Sequence, residues 1–284
     1  MSRFYSRVWE LLIDDKTFIA TTEGRQFRLV FNILIDFGGS VSYADIGIYN
    51  LSSDTASKAF KTGSNVSIKA GYPETIDFIF KGRITNILYE RQGPDTITRL
   101  IARGGSQPAT QSIGKTLGEG VKLIDIIKEL ATAMGYPLVV NENDFNAVSP
   151  YIRGKVLYGD PRQYLDELAN THKFNYLIEN DRLIVVADGS FREGSPFVVS
   201  EFTGMEGIPE ITETGADVSL RLTPKIKIGG RIDIQSKFRT FNFSNAYFQN
   251  IPPSAGTGVY RVYRIAHTGD TYGDTWTTKI TGFR

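Results

Sequence analysis

Residues 27–37 read FRLVFNILIDF, and their alternation constrains the fold more than any other stretch. Phe27, Leu29, Phe31, Ile33, Ile35 and Phe37 fall on one side of an extended chain. Arg28, Asn32 and Asp36 fall on the other, with Val30 and Leu34 between them. A period of two with one wholly apolar face demands a sheet covered on that side. The next segment, YADIGIYNL, repeats the pattern by setting Ala44, Ile46 and Ile48 against Tyr43, Asp45 and Tyr49. SSDTASKAF then predicts a short helix capped by Ser52 or Ser53, with Gly63 ending the segment. NVSIKAGY, DFIFKGRITNILYE and DTITRLIAR follow as strands, divided by Gly71 with Pro73 and by the QGPD turn. Gly82 inside the long middle strand predicts a bulge or corner. Strands with one short helix and no βαβ alternation predict a closed or nearly closed antiparallel barrel over residues 1–106.

The texture changes at Gly104. Gly, Ser, Gln and Pro cluster from there to Gly120, which reads as a linker or long loop. VKLIDIIKELATAMG is helical, with Leu123, Ile124, Ile127, Leu130, Ala131 and Met134 on one face and Gly135 at its stop. DPRQYLDELANTH starts a second helix, with Asp160 as cap, Pro161 in the first turn and Gln163 placed for a capping box. FNYLIE and RLIVVA form a hairpin about Asn180–Asp181. Residues 107–190 thus read as a small α+β insert. From Phe191 strand texture returns, with two strands in GADVSLRLTPKIKIGGRIDIQSK and two more in GVYRVYRIAHTG and DTWTTKITGF. The expected architecture is mainly β, with barrels over 1–106 and 191–284 joined by the insert.

The two strand-rich ends resemble each other. KGRITNI with DTIT can be laid on VYRIAHT with DTWT, which sets Arg83–Ile84 opposite Arg264–Ile265 and Asp95–Thr96 opposite Asp274–Thr275. The spans differ by two residues, which a hairpin loop absorbs. Either one barrel is written twice, or two unrelated hairpins share the alphabet of antiparallel strands.

Elementary chemistry narrows the function. The net charge of +1 gives no reason to expect nucleic acid or an anionic membrane as partner. Cysteine is absent, which excludes disulfides and thiolate metal sites and favours a reducing compartment. The start of the chain lacks a signal-peptide apolar core, because Glu10 breaks the run from Val8 to Ile13. No window is long and apolar enough to span a membrane. SIGKT suggests a phosphate loop, but the first glycine of that motif is replaced by Ala109, beside Pro108. The histidines, His172 and His267, lack metal-ligand spacing. His172 sits near a helix end whose dipole suits a cation. No G-x-S-x-G elbow occurs. The pairs Asp14–Asp15 and Glu210–Glu213 read as solvated loop charges. No catalytic, cofactor-binding or metal-binding residue is expected. One segment stands apart: residues 238–258 carry Phe238, Phe241, Phe243, Tyr247 and Phe248 without regular period. Phe241, Phe243, Tyr247 and Phe248 are candidates for a subunit interface, where aromatic side chains concentrate.

In order along the chain, YADIGIYNLSSDT, GSNVSIKAGY, IFKGRITNI, GPDTITRLIARGG, YLDELANTHKFNYLIENDRLIVV and TGMEGIPEITETGADVSLRLTPKIKIGGRIDI resemble the baseplate hub proteins of contractile-tailed bacteriophages. That group also resembles the N-terminal part of type VI secretion spike proteins. The resemblance implies two tail-tube-like barrels per chain, and a homotrimer whose pseudo-sixfold ring adapts a sixfold tail tube to a threefold spike. It implies as partners the tail tube or a tube-initiator protein, the central spike, and tape-measure and wedge proteins. Sequence-specific nucleic-acid binding and membrane insertion are not implied. The expected setting is the virion baseplate, assembled in the host cytoplasm. A tail-carried peptidoglycan hydrolase and a carbohydrate-binding adhesin are the alternatives.

Overall fold

A computed structural model describes residues 6–21, 27–37, 41–107, 111–212, 215–236, 238, 240–241 and 258–284. The chain opens with β1 (Val8–Ile13) and β2 (Lys16–Ala20), then β3 (Leu29–Asp36), β4 (Tyr43–Tyr49), α1 (Ser53–Ala59), β5 (Asn65–Gly71), β6 (Asp77–Gln92) and β7 (Asp95–Gly104). The middle holds β8 (Ile113–Leu117), α2 (Leu123–Met134), β9 (Leu138–Val140), β10 (Lys155–Gly159), α3 (Pro161–His172), β11 (Phe174–Glu179) and β12 (Arg182–Ala187). The last part holds β13 (Phe197–Val199), β14 (Met205–Ile211), β15 (Gly215–Arg221), β16 (Arg231–Ile234), β17 (Thr240–Phe241), β18 (Gly258–Asp270) and β19 (Trp276–Phe283).

Local chemistry places these elements. On β3 and β4 the predicted apolar faces are buried, with Leu29, Phe31, Ile33, Ala44, Ile46 and Ile48 fully so. Ser52 caps α1 by accepting the Thr55 amide at 3.1 Å. Gly135 ends α2 in the left-handed region, and Ile126 joins the predicted buried face. Asp160 caps α3 through the Arg162 amide at 2.9 Å rather than that of Gln163, so a simple cap replaces the predicted box. Asn180 and Asp181 both take positive φ in the turn between β11 and β12, as a type I′ hairpin requires. Asp14 and Asp15 do the same between β1 and β2. They are turn residues, and Asp14 Oδ1 also accepts the Asn65 amide at 2.8 Å.

Two expectations are corrected. Part of the 104–120 stretch is not linker: IGKTL forms β8, paired antiparallel with β10. Gly82 neither bulges nor breaks β6. A Cβ there would stand 2.1 Å from the Arg103 carbonyl oxygen, so glycine lets β7 approach. The register shifts of β6 lie to either side of it, at Ile79 against β5 and between Ile84 and Asn86 against β7.

Among the described residues, the strand pairing closes neither expected barrel. One 14-stranded sheet runs as an open path, β17-β14-β15-β19-β18-β3-β4-β7-β6-β5-β1-β2, with β16 pairing β18 and β13 pairing β16. Within it one arrangement occurs twice. The order β3-β4-β7-β6-β5 is matched by β14-β15-β19-β18-β16, with every pairing antiparallel in both. Both long strands bulge opposite the end of their hairpin partner, β6 at Thr85 and β18 at Tyr263. Anchoring on those bulges sets Ala44-Asp45-Ile46 of β4 on Ala216-Asp217-Val218 of β15. It aligns Thr85 with Tyr263, three residues away from the match of Arg83 to Arg264.

A single buried cluster draws on both ends of the chain, from Trp9 and Phe31 to Tyr260 and Ile280. A second cluster lies among α2, α3, β11 and β12, around Ile127, Leu130, Leu165 and Leu183. The middle region is fixed to the large sheet by Glu179, which pairs with Arg192 at 2.7 Å and accepts the Ile228 amide at 3.4 Å.

The glycine contacts yield a direct test. Gly82→Ala is expected to cost about 3 kcal/mol, since the new methyl must displace backbone. Gly47→Ala, whose Cβ would meet the Ile97 Cγ2 methyl at 3.4 Å and the Val30 carbonyl oxygen at 3.9 Å, is expected to be near neutral. Urea unfolding of the two variants checks both.

Candidate assembly surface

The pairing of β18 with β3 joins the two repeated units. The start of β18 pairs with β16, and after the bulge its remainder pairs antiparallel with β3, from Arg264↔Asp36 to Asp270↔Val30. An ion pair closes each end. Arg264 reaches Asp36 at 2.6 Å, and Arg28 grips Asp270 through Nη2 at 2.7 Å and Nε at 3.2 Å. The Arg28 guanidinium also lies 4.5 Å over the Tyr49 ring. Burial alone would raise the Asp270 carboxyl, but Arg28 and the Tyr272 and Gly273 amides hold it below the usual carboxylate range. Arg7 adds a strap, donating to the Asp270 carbonyl at 3.0 Å and the Asp274 carbonyl at 2.9 Å. Both arginines of the ion pairs are substantially exposed, so each pair contributes at most about 1 kcal/mol. They set the register. The stabilisation comes from the opposite face, where Phe31 packs edge-on against Trp276 at 5.4 Å within the common core.

His267 lies on that buried face. Its Nδ1 is 2.9 Å from the Thr278 Oγ1, which in turn accepts the Thr223 amide at 2.9 Å. The hydrogen bond to Thr278 satisfies one ring nitrogen of the buried imidazole. Burial, helped by Lys227, pushes the His267 pKa down to about 3. This histidine is a satisfied core group. His172 is 2.9 Å from the Tyr151 hydroxyl, and burial with nearby Lys155 lowers its pKa. His172 lies in the last turn of α3, where the sequence placed it.

The remaining predicted positions do not converge. Lys115 of SIGKT extends from a strand and pairs with Glu129 at 2.6 Å, so the backbone has no phosphate-cradling curl. Among the described residues, no three His, Asp or Glu side chains gather as metal ligands, and no helix is long and apolar enough to cross a membrane. A cleft beside β13 and β16 collects Arg192, Lys225, Lys227 and Arg231 with Glu193 and Ser195, and no histidine lines it beside the Ser195 hydroxyl. Of the aromatic candidates, Phe241 lies in β17, whose backbone pairs parallel with β14 at Ile211. Phe243, Tyr247 and Phe248 lie outside the described residues, as does Glu213 of the Glu210–Glu213 pair.

Residues 46–243 match the sequence profile of a family described as Baseplate hub gp41. No curated protein matches by sequence. Among solved structures, the tail protein from Neisseria meningitidis MC58 is similar at a TM-score of 0.62 and 11% identity, over 99% of this chain and 97% of that one. The 43 kDa tail protein of prophage MuSo2 from Shewanella oneidensis is similar at 0.64 and 10%, over 98% and 97%. The E. coli c3393 protein is similar at 0.58 and 10%, over 96% and 76%; it is described as a type VI secretion system component with structural similarity to T4 bacteriophage tail proteins gp27 and gp5. At such identities these similarities speak for the fold alone.

The buried imidazole gives the junction a pH signature. Between about pH 3 and 6.5 the unfolded chain binds a proton at His267 that the folded chain refuses. Its contribution is whole above that window and falls as the pH drops into it. At pH 5 the loss is about 2 kcal/mol. Denaturant unfolding of the native protein and of His267→Gln should show this as a difference in pH slope, with the variant's profile flatter between pH 7.5 and 5.

Proposed function

The chain belongs to the baseplate hub gp41 family, and from that membership we propose that it is a structural hub of a contractile phage tail. Three copies close into a ring, each presenting two tail-tube-like units, so the ring offers six similar surfaces to a tube and three to a spike. The observation that carries this reading is the duplicated strand order, β3-β4-β7-β6-β5 and β14-β15-β19-β18-β16. A closed threefold assembly repeats every surface three times, and sixfold matching needs an internal repeat in each chain. The units are the regions 1–106 and 191–284, with 107–190 between them. The role is non-enzymatic. The partners are a tail tube or tube-initiator protein, the central spike, and tape-measure and wedge proteins. The site of action is the virion, with assembly in the host cytoplasm. The fold shared with an E. coli protein described as similar to the T4 bacteriophage tail proteins gp27 and gp5 is in keeping with a place in the tail. The aromatic segment with Phe241, Phe243, Tyr247 and Phe248 adds subunit contact.

Sedimentation velocity is expected to give a particle of three times the 31.6 kDa chain mass, and negative-stain imaging a hollow ring. A monomer at the highest attainable concentration refutes the hub reading. Removal of residues 239–256 is expected to weaken the trimer; an unchanged mass argues against the aromatic contact.

A further inference from the structure

Three arginines gather where the first unit carries the insert, and each stands where a cation is disfavoured. Arg83 of β6 and Arg103 of β7 are directly opposed in the antiparallel register. Side chains so placed are close neighbours, and like charges there repel. Arg162 occupies the first turn of α3, at the positive end of the helix dipole. It lies near enough to Arg103 for the two charges to disfavour each other, and both act on the Tyr136 hydroxyl. That hydroxyl is held at the joint, since it accepts the Gln107 amide at 3.1 Å. All three arginines are half-buried.

The protein supplies them no counter-ion. Arg28, Arg99, Arg192 and Arg264 each hold a carboxylate, but among the described residues Arg83, Arg103 and Arg162 make no ion pair. The neighbouring acids are taken up by backbone. Asp181 accepts the Ser106 amide at 2.7 Å, and Asp160 caps α3 through the Arg162 amide at 2.9 Å. Arg83 Nε is buried without a hydrogen-bond partner. Asn65 Oδ1, across the pairing with β5, is likewise unbonded, so the two do not satisfy each other. Burial, and then Arg162, hold the Arg103 guanidinium below the usual arginine range. A half-buried charge without a partner is costly, and three together call for an anion.

We propose that the cluster of Arg83, Arg103 and Arg162 binds a phosphate-type oxyanion, the phosphomonoester or diphosphate group of a small molecule, and that this anion ties α3 to β6 and β7. A carboxylate brings one charge and two oxygens, too little for three guanidiniums. A phosphomonoester brings a charge of about −1.5 to −2 at neutral pH and three strong acceptor oxygens. Each arginine fork can meet such oxygens with paired donors. The bound anion extends the contact that the Ser106–Asp181 and Gln107–Tyr136 bonds begin between the first unit and the insert. The site does not depend on the ring reading, because one chain holds all three arginines.

Isothermal titration of the full chain with pyrophosphate, in phosphate-free buffer at constant ionic strength, is expected to show one site per chain. Citrate is expected to bind at least tenfold more weakly. Pyrophosphate at about a hundredfold excess over its Kd should raise the thermal midpoint by about 5 °C. Arg103→Gln and Arg162→Gln should each weaken pyrophosphate binding at least tenfold. Without pyrophosphate both should unfold no earlier than the native chain, because each removes a repelled charge. Arg153→Gln should bind as the native chain does, since Arg153 follows Tyr151, which bonds His172 at the other end of α3. No binding, equal binding of citrate, or undiminished binding by the two cluster variants overturns the proposal. So does tighter binding of a mixed-sequence single-stranded oligonucleotide, which marks a groove for a polymer. Should one variant fail to fold, the other variant and the native titration decide.

Discussion

The pairing of β18 with β3 is the contact on which the architecture depends. It joins residues 30–36 to residues 264–270 and so brings the two ends of the polypeptide side by side in one sheet. Without it the repeated units would each end in an open edge, and the common cluster that runs from Trp9 to Ile280 would be cut in two. Such a long-range pairing carries a loop-closure cost that local hairpins do not. The fold meets it with buried side chains, because the exposed ion pairs at either end of the joint are too weak. Those pairs serve instead to forbid slippage: a shift of one residue would turn Phe31, Ile33 and Ile35 outward and part Arg264 from Asp36.

The middle region depends on the same joint. Glu179, at the end of β11, is buried beside Arg192 and the Ile228 amide, and Arg261 of β18 donates to the Ala187 carbonyl at 3.0 Å. From the first unit, the Ser106 amide bonds Asp181 at 2.7 Å and the Gln107 amide bonds the Tyr136 hydroxyl at 3.1 Å. The insert therefore touches both units with directed polar contacts. A buried charge that loses its partner costs about 3–5 kcal/mol, whereas a well-packed apolar replacement of the pair need not. Glu179 with Arg192 thus acts more as a specification of how the insert sits than as a source of stability.

The strands with regular alternation were legible in the sequence, and so were the helices. β3, β4, β5, β7, α2, α3 and the Asn180–Asp181 turn are placed by periodicity and by turn and cap residues that obey local rules. β13 and β14 gave no such signal. β13 is three residues long, and β14 carries Gly207 and Pro209 through a bulge that destroys its alternation. β8 was hidden by its glycine and lysine content. The duplication was visible, but in the wrong letters. The eye goes to the Asp-Thr hairpins, whose loops differ. The better match is YADIGIY against GADVSLR, because those residues form the inner strand of each unit, where alternate side chains are fully buried. The bulges at Thr85 and Tyr263 could not be read from sequence at all. They depend on which residue of the partner strand each faces, and that is decided by the sheet.

The two units differ where their edges differ, and the difference follows from what a free edge risks. An exposed strand edge invites pairing with any other strand, and proteins blunt it with bulges, proline, charge or a covering segment. β14 shows all four devices: the bulge at Gly207, Pro209, flanking Glu206 and Glu210, and β17 laid over its end. β3 needs none, because β18 fills its edge within the same chain, and it accordingly keeps an unbroken alternation. Along β6 the open half carries Glu90 and Arg91, while the covered half buries Ile79 and Phe80. The sequence differences between the repeats are therefore not noise added to a duplicated unit. They mark which copy of each edge is satisfied inside the molecule and which, among the described residues, is left facing outward and guarded against promiscuous pairing.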